Sequence, residues 1–124
     1  MNRKPQGEDS ADFEALLRQY DNLKNGLSYG FLEEESFEKI INYFEDQEQL
    51  NEALEACEIG MSIFPYSGSL MIKKADLLLD FRRYREALKI LKKAESLDGI
   101  SPDLCVLMTE VYLALDMQED AINF

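Results

Sequence analysis

Histidine and tryptophan are absent from this chain of 124 residues, and only three prolines and two cysteines interrupt it. Without histidine, the commonest general base and metal ligand near neutral pH is missing. Basic residues are scarce as well: 13 Lys and Arg stand against 25 Asp and Glu, for a formal net charge of -12. Such a surface repels phosphate at long range, which argues against a nucleic-acid binder. The opening MNRKPQGEDSADF has basic residues but no apolar run behind them, so it does not read as a signal peptide. No later stretch is long and apolar enough to span a membrane, and the chain reads as cytoplasmic.

Chemistry-bearing patterns are also lacking. There is no nucleophile–base pair, no glycine-rich phosphate loop and no metal-ligand spacing. Carboxylate pairs such as Glu34 and Glu38 share one helix face and read as solvated charge, with nothing to tune them. Cys57 and Cys105 form no CxxC pair; both fall at apolar positions of the pattern described next and read as small core residues in a reducing compartment. The expectation is a protein without catalysis, cofactor or metal.

What is present is a period. Ala53, Ala87 and Ala121 lie 34 residues apart, inside the helical phrases LNEALEACEIG, YREALKILKKA and QEDAINF. A small residue recurring at one place means that two helices approach closely at one place in every unit. Residues 1–9 are polar and read as a flexible amino terminus. Over 10–24 the residues Phe13, Leu16, Leu17, Tyr20 and Leu23 recur at three- and four-residue steps, an amphipathic helix capped by Asp9 or Ser10 and stopped by Asn25-Gly26. Residues 25–33 read as a connector.

The frame then divides the chain into 34–67, 68–101 and 102–124. In the first unit, Phe37, Ile40, Ile41 and Phe44 form the face of helix A. Leu50, Ala53, Leu54, Cys57 and Met61 form that of helix B, ended by Pro65. In the second, Met71, Ala75 and Leu78 are followed by Tyr84, Ala87, Leu88, Leu91 and Ala94, with a stop at Gly99. Ser101-Pro102 opens the third as a cap followed by proline at the first helical position. Cys105, Met108, Val111 and Tyr112 make its helix A face, and Ala121 and Ile122 begin a helix B that stops at Phe124 about a third of the way in. A partial last helix buries little of its apolar face, so the expectation is the amino-terminal piece of a longer repeat protein.

These residues resemble the tetratricopeptide repeat family over about 34–124. The matches are Phe37, Phe44, Ala53 and Pro65 in the first unit, Met71, Ala75, Leu78, Ala87, Leu91 and Ala94 in the second, and Tyr112 and Ala121 in the third. The departures are Ile41 for a small residue, which should push the first helix pair apart, Gly60 for the second helix B alanine, and Gly99 for the proline. The resemblance implies an all-α fold, a right-handed α-solenoid of antiparallel helix pairs preceded by one extra helix. It also implies a cytoplasmic scaffold of the bacterial type, in which helix A of each unit lines a concave groove.

Carried over by frame, that groove presents Glu35, Glu38 and Asn42 from the first unit. The second contributes Ile72, Lys73, Asp76 and Leu79, and the third Asp103, Val106, Leu107, Glu110 and Leu113. A basic clamp for acidic peptide tails is excluded: only Asn42 has clamp chemistry, Glu38 stands where a lysine is needed, and Asp103 and Leu107 occupy two further basic slots. What remains is an acidic groove with an apolar strip of Ile72, Leu79, Val106 and Leu113. Either a partner covers that strip, or residues 10–24 pack on it.

Charge is segregated along the chain. Residues 31–58 hold ten acids and one lysine, 70–95 hold eight bases and four acids, and 98–124 hold six acids and no base. Arg82, Arg83 and Arg85 form a second candidate docking cluster, alongside the plainer reading of a solvated surface. The function expected is a protein–protein interaction scaffold offering its groove to a basic or apolar segment. The alternatives are self-association through an uncapped end, giving a homo-oligomer, and a regulatory segment of a longer protein.

Overall fold

The computed structural model describes the backbone of residues 6–27 and 31–123, and the side chains of 11–27 and 31–117. Over these residues the protein is all-α: six helices and no strand. They are α1 (Gln6–Lys24), α2 (Glu34–Asp46), α3 (Leu50–Ile63), α4 (Gly68–Asp80), α5 (Tyr84–Asp98) and α6 (Pro102–Asn123). The period of the sequence is carried into the backbone. Helices begin at Glu34, Gly68 and Pro102, and again at Leu50 and Tyr84, each step being 34 residues.

Two helical hairpins, α2–α3 and α4–α5, account for most of the core. Each turns through three residues with the central one in the left-handed region, Glu48 at φ 58° and Arg82 at φ 59°. Neither is glycine, so each turn holds a side chain in a conformation that L-residues rarely adopt. Ser67 starts α4 firmly. Its hydroxyl accepts from the Leu70 amide at 3.1 Å and donates to the Glu34 carboxylate, which ties the first hairpin to the second. Ser101 does the same for α6, accepting from the Leu104 amide at 3.2 Å ahead of Pro102.

Most of the expected apolar faces of the two hairpins are inside: Phe37, Ile40, Ile41, Ala53, Leu54, Cys57, Met71, Ala75, Leu78, Ala87, Leu91 and Ala94 are buried, while Phe44, Leu50, Met61, Tyr84 and Leu88 are half-buried against them. Leu70, Leu77 and Leu104 join them from positions outside those faces. They serve the packing between successive hairpins, for α3 lies on α4 and α5 on α6. Gly60 shows how tight this is. A Cβ placed there would stand 3.1 Å from the Phe37 ring of its own hairpin and 3.1 Å from Leu70 of the next.

Three expectations are corrected. α1 starts at Gln6, so Asp9 and Ser10 lie inside the helix rather than capping it. Its carboxyl end does follow expectation: Gly26, at φ 71°, lets the Leu27 amide bond back to the Asn22 carbonyl at 2.8 Å. The third unit is one uninterrupted helix, Pro102–Asn123, and not a helix A followed by a turn and a helix B at Ala121. Asp116 holds the position corresponding to Glu48 and Arg82, yet the backbone there stays helical. The side chains of Ala121 and Ile122 lie outside the described residues.

The straight course of α6 explains the third correction. Cys105 and Tyr112, expected in the core, are exposed, Tyr112 at 47%. They match Phe37 and Phe44 of α2, and Met71 and Leu78 of α4, where the helix B of the same hairpin supplies the cover. Among the described residues no such helix lies against α6, which instead packs through Leu104, Leu107 and Val111.

Candidate functional site

Because α2, α4 and α6 start 34 residues apart, the same helical positions recur side by side on one face of the protein. The result is a cleft of 630 Å³ lined by Glu38, Ser69, Ile72, Lys73, Asp76, Asp103, Val106, Leu107 and Glu110. Three ladders run across it: Glu38–Ile72–Val106, Asn42–Asp76–Glu110, and Glu35–Ser69–Asp103. The structure thus gathers most of the sequence-derived groove into one concavity and adds Ser69, which the frame places between Glu35 and Asp103. Glu35, Asn42, Leu79 and Leu113 lie on the same helices but outside the cleft lining. Leu107, a groove residue by frame, lines the cleft but is largely buried at its floor.

Apolar and acidic surface meet here. Val106 is 56% exposed and Ile72 half-buried, while Leu113, at 60%, continues the apolar strip towards the carboxyl end of α6. α1 does not cover them. It packs on α2 on the far side, with Tyr20 against Phe37 and Phe44 at centroid distances of 6.3 and 6.1 Å and Phe13 against Tyr43 at 5.0 Å. Lys24 reaches from α1 to Glu55 of α3 at 2.9 Å. The reading in which residues 10–24 fill the groove is therefore not what the described structure adopts.

The single cation of the cleft is already engaged. Lys73 donates to the Asn42 side-chain oxygen and sits 3.5 Å from Glu45, joining α4 to α2. The carboxylates keep an uncompensated field. Partial desolvation, then the neighbouring Asp80 and Glu110, push the Asp76 carboxyl above its ordinary pKa, and Lys73 offsets only part of this. Glu45 is likewise raised, first by desolvation, with Asp76 and Asp80 adding to it against Lys73. A cation delivered to this wall would relieve repulsion that the free protein carries.

The arginine cluster has a different character. Arg82, Arg83 and Arg85 surround the turn between α4 and α5. Arg83 is taken up by a bidentate pair with Glu86, donating at 2.9 and 2.7 Å. An exposed pair of this kind contributes little to stability and leaves Arg82 and Arg85 as the charge of the patch.

Among the described residues no group of His, Cys, Asp and Glu is arranged to hold a metal ion, and no helix is long and apolar enough to cross a membrane. No protein-family model matches this chain, nor does any curated protein or solved structure match it.

Proposed function

We propose that this chain is a scaffold of the tetratricopeptide type, a solenoid of helix pairs whose concave cleft holds a basic, apolar-flanked segment of another protein. One observation carries the reading: the 34-residue ladders place the exposed Val106 and half-buried Ile72 among carboxylates, where partial desolvation and then the charges of Asp80 and Glu110 raise the pKa of Asp76. An aliphatic side chain of the ligand would rest on Ile72 and Val106. A lysine or arginine beside it would lie between Asp76 and Glu110, where charge sets orientation and association rate. The clefts of such scaffolds bind without chemistry, and no catalytic role is assigned to any residue here.

The test is a binding series with synthetic peptides that alternate leucine with lysine, or leucine with glutamate. The lysine series should bind, and weaken as salt is raised; the glutamate series should not. Val106→Asp should remove binding while leaving helical content unchanged, because that side chain is largely exposed in the free protein and an aspartate there must be desolvated under an apolar ligand. Equal binding of both series, or binding indifferent to Val106→Asp, would overturn the proposal.

A further inference from the structure

The outer side of α5 carries charge that the chain itself does not neutralise. Arg85, Lys89, Lys92 and Lys93 are exposed on the side of the helix opposite the buried Ala87, Leu91 and Ala94, and the exposed Arg82 stands in the turn before them. Among the described residues none of these five bases makes an ion pair, whereas Arg83 is taken up by Glu86. Local helix rules are broken here. Arg82 and Arg85 bring positive charge to the amino end of α5, whose N-cap Arg83 makes no side-chain capping bond, although the macrodipole favours an anion at that end. Arg85–Lys89 and Lys89–Lys93 set like charges four residues apart, an arrangement that destabilises a helix. A surface held against its own repulsion is a mark of function rather than of stability.

The first hairpin shows how this fold satisfies such a row. In the 34-residue frame Arg82, Lys89 and Lys92 correspond to Glu48, Glu55 and Glu58, so three charges are reversed between α3 and α5. On α3 the acids are met from other helices: Lys24 of α1 lies 2.9 Å from Glu55, and Lys74 of α4 lies 3.7 Å from Glu58. On α5 no carboxylate of the described residues reaches the corresponding bases.

We propose that α5 docks an acidic helix of another protein, its carboxylates at three- and four-residue steps opposite Arg85, Lys89 and Lys92. Those three bases form one row, about 10 Å long at the rise of an α-helix. Width favours this occupant over other polyanions. A single helix, about 10–12 Å across with its side chains, fits along α5 alone. A nucleic-acid duplex or a membrane surface would extend over the neighbouring first hairpin, setting its phosphates against residues 31–58 with their ten acids and one lysine. The row is also separate from the cleft, which α2 and the facing sides of α4 and α6 line. Charge at such an exposed row sets orientation and association rate.

Fluorescence anisotropy with labelled synthetic peptides at low salt tests the proposal. One peptide is an alanine-based helix with its glutamates in a single row, at steps of four and three residues. A second has the same composition with the glutamates spread around the helix, and a third alternates leucine with glutamate at the spacing of a strand. The row peptide should bind at least about tenfold more tightly than either control and be released as salt rises. Lys89→Glu combined with Lys92→Glu should weaken it by at least about tenfold. The melting temperature of that variant should hold or rise, because the like-charge neighbours of Arg85 and Lys93 are removed. Val106→Asp, in the cleft, should leave this binding unchanged. Equal binding of the three peptides, no binding, tighter binding of duplex RNA or of phosphatidylserine vesicles, or indifference to the double reversal would each overturn it.

Discussion

Replacing Gly60 by alanine separates what the repeat predicts from what the packing allows. In the second hairpin the equivalent residue is the buried Ala94, and by frame Met71 and Leu104 take the places of Phe37 and Leu70. By frame alone, Gly60→Ala should stabilise α3 by about 1 kcal/mol, the ordinary helix cost of glycine. In the structure the new Cβ would stand 3.1 Å from the Phe37 ring and from Leu70. By frame a leucine, Leu104, also faces Ala94 in the second hairpin, so Leu70 is not expected to be the obstacle. The ring is, because phenylalanine stands where the flexible Met71 does, and Phe37 is fully buried. Overpacking of this kind costs about 1–3 kcal/mol, so the net change should be a destabilisation of about 1 kcal/mol. Phe37→Met alone should cost about 1–2 kcal/mol through lost volume and the lost edge contacts with Tyr20 and Phe64. Together the two substitutions recreate the pairing of the second hairpin, and their coupling should be favourable by at least about 1 kcal/mol. Urea melts followed by circular dichroism measure all three variants, the coupling corresponding to about 4 °C in Tm. Strict additivity, or a stabilising Gly60→Ala on its own, would refute the packing argument.

Other outcomes follow from burial and charge. Burial pushes the Cys57 thiol up to about 12, so in the folded, dilute protein a thiol reagent should label Cys105 rapidly and Cys57 only after denaturation. Tyr20→Phe should be neutral or stabilise by up to about 1 kcal/mol in thermal melts, since the buried Tyr20 hydroxyl has no hydrogen-bond partner among the described residues. Ser67→Ala should cost about 1 kcal/mol, losing both the cap on α4 and the link to Glu34. The raised carboxyls of Asp76 and Glu45 bind protons more readily folded than unfolded. Their contribution to stability is therefore present below the unfolded carboxylate pKa and lost as pH rises through the folded values. Asp76→Asn should accordingly raise the neutral-pH melting temperature while weakening capture of the lysine peptides.

The alanine interval made the helix starts legible because a close crossing tolerates few residue types, and Ala53 and Ala87 both sit at one. The cleft was legible for the same reason, since equivalent positions on α2, α4 and α6 must adjoin once the helices are stacked. Leu70, Leu77 and Leu104 escaped a reading that assigned one apolar face per helix. α4 is wedged between α3 and α5 and needs two, a need visible only as the column Leu70–Leu104. Cys105 and Tyr112 misled in the opposite sense. Their positions are apolar by frame, but burial belongs to the helix that covers them, and α6 runs straight where Glu48 and Arg82 bend the earlier hairpins.

Each helix meets only its neighbours in the sequence or the next hairpin, and α1 touches little beyond α2. Cooperativity in such a chain is passed from element to element and not shared by a common centre. Amide exchange should therefore be graded rather than uniform. The slowest protons belong to α3 and α4, held on both sides, and the first openings to α1 and the outer half of α6. Loss of α1 would expose Phe37 and Phe44 yet leave the cleft standing, so the far edge can melt and re-form without disturbing the concave face.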